Sequence, residues 1–259
     1  MAYTGILLIL AVLPVLAIML YVYHKDGNKE PMKLLIRLFL SGILSCFVVL
    51  TISRIMEMFL PFMNSTETFL DVLLYAFIGV AFIEELCKWF MTYIVAYHQR
   101  DFDEMYDGIV YSIFVSLGFA FFENIVYVIR TSSINTALIR AVSAVPSHAC
   151  DAIFMGYYLS VAKQYSIRKE KELEKKNIIL SLVIPIVLHG IYDFCLMSGQ
   201  SIFITVFIVF IIFLYLASIK KLKRLSNRNK KIRFKNKFCH VCGKAITGEY
   251  CAKCGTKQI

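Results

Sequence analysis

Eight ionisable residues stand in stretches that are otherwise apolar: Glu84, Glu85, Lys88, Glu123, His148, Asp151, His189 and Asp193. Carboxylates and imidazoles move protons to and from water, so such a set suits hydrolysis. A glutamate can take a proton from water, and a histidine can deliver one to a leaving amine or help hold an oxyanion. Spacing sorts these residues into groups. Lys88 follows Glu84 and Glu85 by four and three positions. At about 100° per helical residue its side chain lies angularly between theirs, where it can pair with one carboxylate and leave the other facing a cavity. His148 and Asp151 are three apart and His189 and Asp193 four apart, so each pair shares a helix face. No Ser or Cys nucleophile stands in a comparable constellation. Ser147 adjoins His148 in sequence but points about 100° away from it on a helix. Without HExxH the chain is not a zincin, and without GxGD it is not an intramembrane aspartyl protease.

The elements that position these residues follow from composition. Of 259 residues, 59% are hydrophobic, and the mean hydropathy is +0.68. Soluble domains sit near 45–50% apolar. Yet 28 Lys and Arg against 18 Asp and Glu leave a net charge of +10. Disorder is excluded by the apolar content, and an ordinary soluble enzyme would expose large greasy patches. An all-α polytopic membrane helix bundle satisfies both numbers, with greasy spans and basic loops. Seven stretches are long enough to cross a bilayer: Gly5–Tyr23, Leu34–Leu60, Phe69–Ala96, Gly108–Ile129, Ala137–Ala162, Ile178–Met197 and Ile202–Ile219. The first lacks a basic segment before its apolar run and reads as a retained helix rather than a signal peptide.

Basic residues follow the first span (Lys25, Lys29, Lys33), the fifth (Lys163 to Lys176) and the seventh (from Lys220). The loops around Asn64–Thr68 and Gly199–Ser201 hold none, and the loop after the fourth span holds Arg130, with Arg140 just inside the next span. The positive-inside rule then predicts a multi-pass protein of the cell membrane with its N-terminus outside and its C-terminus in the cytoplasm.

A charge inside the bilayer costs on the order of 2.5–3.5 kcal/mol on insertion scales. Four consecutive spans, the third to the sixth, carry such groups. They offset that cost only by meeting each other or water, so the pattern predicts a shared polar cavity. With this orientation Glu84 falls near mid-membrane, and Glu123, His189 and Asp193 fall in the outer half, so the cavity should take water from the outer face. Pro146 and Pro185 precede the two histidines and are expected to bend their helices. Each residue also has a plain structural reading. Glu84 and Lys88 can form an interhelical clamp, Asp193 can be interfacial, and Asp151 can merely orient His148. Arg54 and Glu57 near the end of the second span snorkel and are given no role.

Beyond residue 219 the composition changes. Residues 220–237 form a basic linker suited to anionic lipid rather than to nucleic acid. In 238–257, Cys239, Cys242, Cys251 and Cys254 form C-x2-C-x8-C-x2-C, the spacing of a zinc ribbon. A closed four-thiolate site would be structural, and its cytoplasmic partner is not named by the sequence. Cys46, Cys87, Cys150 and Cys195 are scattered through the spans and are expected to pack as small apolar side chains.

Four segments together resemble one family. The run 82–89 (FIEELCKW) resembles the EExxK motif of the PrsW family of intramembrane proteases. The runs 106–111 (YDGIVY) and 118–127 (GFAFFENIVY) resemble its next motif, centred on Glu123 and Asn124. The runs 146–158 (PSHACDAIFMGYY) and 188–194 (LHGIYDF) resemble its two histidine segments. The resemblance covers residues about 70–200, and the cysteine tail lies outside it. It implies a membrane-embedded endopeptidase, residues 1–219, that cuts a membrane-protein substrate such as an anti-sigma factor near the outer face. It implies Glu84 or Glu85 as the base that activates water, with Glu123 sharing a proton or setting that base. His148 and His189 would polarise water, stabilise the oxyanion or deliver a proton, and Lys88, Asn124, Asp151 and Asp193 would support them. Two histidines and three glutamates also suit a catalytic divalent metal; the resemblance leans to a metal-free glutamic mechanism, and the sequence leaves this open. Two other functions compete: a non-catalytic membrane scaffold acting through the zinc tail, and a proton-coupled transporter, since buried acid and imidazole chains also mark ion paths.

Overall fold

A computed structural model describes residues 2–63, 67–228, 237–238, 241, 245–246 and 253–256. Among the described residues the regular structure is helical apart from two short strands. Helix α1 (Ala2–Lys25) is followed by α2 (Met32–Phe59) and a 3-10 turn (Pro61–Met63). The run 69–97 changes helix type along its length: α3 (Phe69–Leu74), a π-helix (Tyr75–Phe82), α4 (Ile83–Thr92) and a second π-helix (Tyr93–Tyr97). Then come α5 (Asp107–Thr131), α6 (Ile134–Val142), α7 (Ala144–Ile167), α8 (Lys171–Met197) and α9 (Ser201–Arg228). Strands β1 (Lys237–Phe238) and β2 (Ala245–Ile246) pair antiparallel. Of the expected zinc ligands, Cys239, Cys242 and Cys251 lie outside the described residues, so the ribbon does too.

Among the described residues five helices, α1, α2, α5, α8 and α9, are long and apolar enough to cross a membrane. The expectation of seven spans differs in two segments. The third, 69–97, is helical throughout but is broken by π turns and carries Glu84, Glu85 and Lys88. The fifth divides at Ser143 into a nine-residue amphipathic helix α6 and the helix α7. Helix α7 carries Ser147, His148, Asp151, Ser160 and Lys163 and is too polar to meet the same measure. Large apolar side chains line the outside of the bundle, among them Ile9, Leu13 and Leu20 on α1 and Val209, Phe213 and Leu216 on α9. A surface of this kind suits lipid rather than water.

Helix α5 is the central rod. Residues 104–120 are buried without interruption, and α5 packs against α1, α2 and α7. Close approach to α7 is possible because Gly108 faces Gly156: a methyl on either would run into the other's backbone carbonyl. Two small residues at one crossing let backbones meet and gain dispersion contact that lipid tails cannot replace. Pro146 does not bend α7 as expected. It lies in the first turn, where the backbone N–H would have no intrahelical partner in any case. Pro185 does lie inside α8, where its missing N–H leaves the Ser181 carbonyl unbonded by the helix. Cys46, Cys87, Cys150 and Cys195 are buried and unbridged.

Candidate active site

The short helix α4 carries Glu84, Glu85 and Lys88 into the bundle, and its polar turn is fully covered: Lys88 and Glu85 are 0% exposed and Glu84 6%. Lys88 does not choose one carboxylate. Its Nζ lies 3.1 Å from Glu84 Oε2 and 2.8 Å from Glu85 Oε1. It also lies 3.1 Å from His148 Nδ1 and 4.1 Å above the Phe119 ring centre. An ammonium has donors only, so we assign His148 Nδ1 as the acceptor and Nε2 as the nitrogen that carries hydrogen. That Nε2 lies 3.1 Å from Glu123 Oε2.

His189 on α8 completes the ring from the other side. Its Nδ1 is 2.8 Å from Glu85 Oε1. Its Nε2 faces Asp193 Oδ2 at 3.3 Å and Glu84 Oε2 at 3.9 Å. The two imidazoles stand 5.4 Å apart at 77°. Thus α4, α5, α7 and α8 each contribute, and Glu84, Glu85, Glu123, His148, His189 and Lys88 form one network. Asp193 supports it directly. Asp151 does not hydrogen-bond to His148; it is 1% exposed, and neither of its carboxylate oxygens has a hydrogen-bond partner.

Arg140, read from the sequence only as a charge at the edge of a span, belongs to this network. Its Nη2 donates to Glu123 Oε2 at 2.5 Å and its Nε to Asn124 Oδ1 at 2.7 Å. The guanidinium lies 3.8 Å over the Tyr127 ring. An arginine within a stretch otherwise suited to a span was the available signal, because a charge there needs a partner. The amphipathic helix α6 delivers it sideways to the end of α5.

A cavity of about 200 Å³ opens beside the network. Glu84 and Glu123 line it, whereas Glu85 lies behind them. Its other walls include Ser53 and Glu57 near the end of α2, Met63, Tyr127 and Arg130. The cavity therefore reaches toward the end of the bundle where α2 and α5 finish. This distinguishes the two adjacent glutamates: one faces space that water can enter, and the other is held between an ammonium and an imidazole.

The donor set fits a divalent metal. One ligand atom each from Glu84, Glu85, His148 and His189 lies within 4.8 Å of the others. Glu85 Oε2 is buried with no hydrogen-bond donor. The charges agree: Glu84, Glu85, Glu123, Asp151 and Asp193 are five carboxylates around two permanent cations, Lys88 and Arg140. Further positive charge, from a metal, from imidazolium or from a proton on a buried carboxyl, would reduce that imbalance.

The family model described as "PrsW family intramembrane metalloprotease" matches residues 30–219. That description names a metalloprotease, against the metal-free mechanism implied by the sequence resemblance. The chain is 43% identical over 199 residues to Protease PrsW of Oceanobacillus iheyensis, covering 76% of this chain and 86% of that protein. It is 32% identical to Protease PrsW of Clostridioides difficile over 234 residues, 89% of this chain and 95% of that one. Identity to Protease PrsW of Bacillus subtilis is 38% over 186 residues, 71% and 80% of the two chains. No solved structure matches the chain. With the four sequence segments converging on one buried network, and with relatives named proteases over most of the length, the chain belongs to the PrsW family of intramembrane proteases.

Proposed function

We propose that the chain cuts a membrane-protein substrate, of the anti-sigma-factor kind, at the outer side of the cell membrane, with Glu84 as the base that activates water. The observation that carries this is the separation of roles between neighbouring glutamates. Glu84 opens onto the cavity, while Glu85 is tied to Lys88 and His189. In this reading Glu84 takes the proton of the attacking water. Glu85 orients His189 through Nδ1, and His189 Nε2 delivers a proton to the leaving amine. His148, held between Lys88 and Glu123, positions Glu123, which lines the cavity. The apolar bundle around them keeps bulk water out and strengthens each electrostatic contact.

Glu84, Glu85, His148 and His189 would hold a divalent metal if one is resident. Such a metal supplies Lewis-acid polarisation of the carbonyl and a more acidic bound water.

In this reading the N-terminus lies outside and the C-terminus in the cytoplasm, as the basic loops favour, and the cavity opens to the outer side. In the same arrangement Cys239, Cys242, Cys251 and Cys254 hold a structural zinc in the cytoplasm, separate from the chemistry.

The test is cleavage of a tagged single-span substrate in cells, with protease levels checked on the same blot. Glu84→Gln should lower cleavage by about 10²–10⁴-fold, the usual range for loss of a general base. Wild-type cleavage by Glu84→Gln would remove Glu84 from the role of base. Retained cleavage in single alanine substitutions of all five residues, Glu84, Glu85, Glu123, His148 and His189, would reject the site.

A further inference from the structure

A second acidic cluster lies at the opposite end of α5 from Glu123. Asp26 and Glu30 in the α1–α2 loop, Glu104 in the loop before α5, and Asp107 at the start of α5 are all buried, at 3%, 7%, 2% and 0% exposure. Ligand oxygens of Asp26, Glu104 and Asp107 lie within 4.8 Å of one another. From Asp107 to Glu123 is 16 residues along α5, about 24 Å of helix, so this is not the protease site.

What the cluster lacks is a cation paired directly with its carboxylates. Among the described residues none of the four carboxylates has a salt bridge. The nearby Lys29 spends its ammonium on the backbone carbonyls of Tyr23 and Asp26. Neutral donors satisfy part of the set. Asp107 Oδ2 accepts from the backbone of Asp103 at 2.9 Å and of Glu104 at 2.6 Å. Asp26 Oδ1 accepts from Asn28 N, Glu104 Oε1 from the Asn28 amide, and Glu30 Oε2 from the Tyr111 hydroxyl. The remaining oxygens do not close the account: Asp26 Oδ2, Glu104 Oε2 and Asp107 Oδ1 are buried with no donor. Three nearly sealed carboxylates that converge, each with an orphaned oxygen, are unfavourable as anions unless a cation joins them or a proton neutralises one of them.

We propose that Asp26, Glu104 and Asp107, with Glu30 beside them, form a site for a hard divalent cation, Ca²⁺ or Mg²⁺. All the ligands are oxygens, which suits these ions rather than zinc. The ion fastens the α1–α2 loop and the 98–106 loop to the N-terminal end of α5. Its role is structural and reaches the protease site only through the seating of that helix.

The experiment uses the full chain, purified in detergent and stripped with chelator. Adding CaCl2 or MgCl2 should raise Tm by roughly 5–10 °C at a hundredfold excess over Kd, with KCl at equal ionic strength as control. The more effective ion identifies the occupant. Terbium should give luminescence sensitised by tyrosine, since Tyr111 is bonded to Glu30. Asp107→Asn and the milder Glu104→Gln should abolish both signals, while His189→Ala keeps them. Loss in His189→Ala with retention in Glu104→Gln would assign the ion to the protease site and overturn the proposal. A wild-type protein that ignores both ions, or gains the same stability from a lower pH alone, overturns it as well, whether or not the variants fold.

Discussion

Replacing Lys88 by methionine keeps the aliphatic stem and deletes the ammonium that Glu84 and Glu85 share. Both partners are buried, and the Nζ–Oε1 distance to Glu85 is 2.8 Å. With charge centres about 4 Å apart and an effective dielectric of about 20, that pair alone is worth about 4 kcal/mol before desolvation. Removing one member of a buried pair typically costs about 3–5 kcal/mol, because the other charge is left stranded. Lys88→Met should therefore lose about that much stability. Adding Glu85→Gln removes one stranded charge and should restore about 2–3 kcal/mol, a coupling of the size found for buried contacts. The assay is denaturant unfolding in mixed micelles followed by fluorescence. The chain's single tryptophan, Trp89, is well placed to report, since its Nε1 donates to Ser181 Oγ on α8 at 2.8 Å. Additive effects to within about 0.5 kcal/mol would show that Lys88 and Glu85 do not interact as described, and the charge network would have to be redrawn.

Arg140→Lys keeps a positive charge but cannot bond Glu123 and Asn124 with one planar fork, so cleavage should fall about 10–100-fold at equal protein level, measured with the tagged substrate. Gly156→Ala puts a methyl into the Gly108 backbone and should cost about 1–3 kcal/mol, whereas Gly5→Ala, with open space around it, should stay within about 0.5 kcal/mol; Tm values of the two proteins check the contrast. Deleting residues 230–259 should leave cleavage intact. Cys239→Ser with Cys242→Ser should lower zinc in the full chain by one ion, read by atomic emission.

The residues of the buried polar network were legible because their types conflict with their surroundings. A glutamate or histidine inside an apolar stretch carries its own signal, and helical spacing then says which side chains share a face. Arg140 carried the same signal more weakly, since it stands close enough to a loop to pass for an orientation charge. What separates it from the span is the break at Ser143, which the sequence marks only by that serine and by Pro146 three residues on, a pair that also fits a bend within one continuous helix. Pro146 misled for a related reason: its effect depends on whether a helix starts two residues before it or ten. The π-helical turns were not readable either, because Tyr75–Phe82 has the same apolar composition that an α-helix would have there. The acids at 26, 30, 104 and 107 were invisible as a set. Each sits in or beside a polar loop, where a carboxylate is ordinary, and only the folding of both loops against α5 buries them together.

The π-helix before α4 has a consequence for how this protein can change. Its i to i+5 bonding takes up one residue more per turn than an α-helix would, and everything after it is aimed accordingly. Deleting any single residue between 75 and 82 lets that stretch relax to ordinary winding. Because the wide turns had absorbed that extra residue, the EELCK face would turn by far less than the 100° that one residue adds to a continuous α-helix. The wide turns thus give this stretch slack to lose a residue, whereas its packed small positions have little room to grow: a methyl on Gly79 would meet the Met63 sulfur.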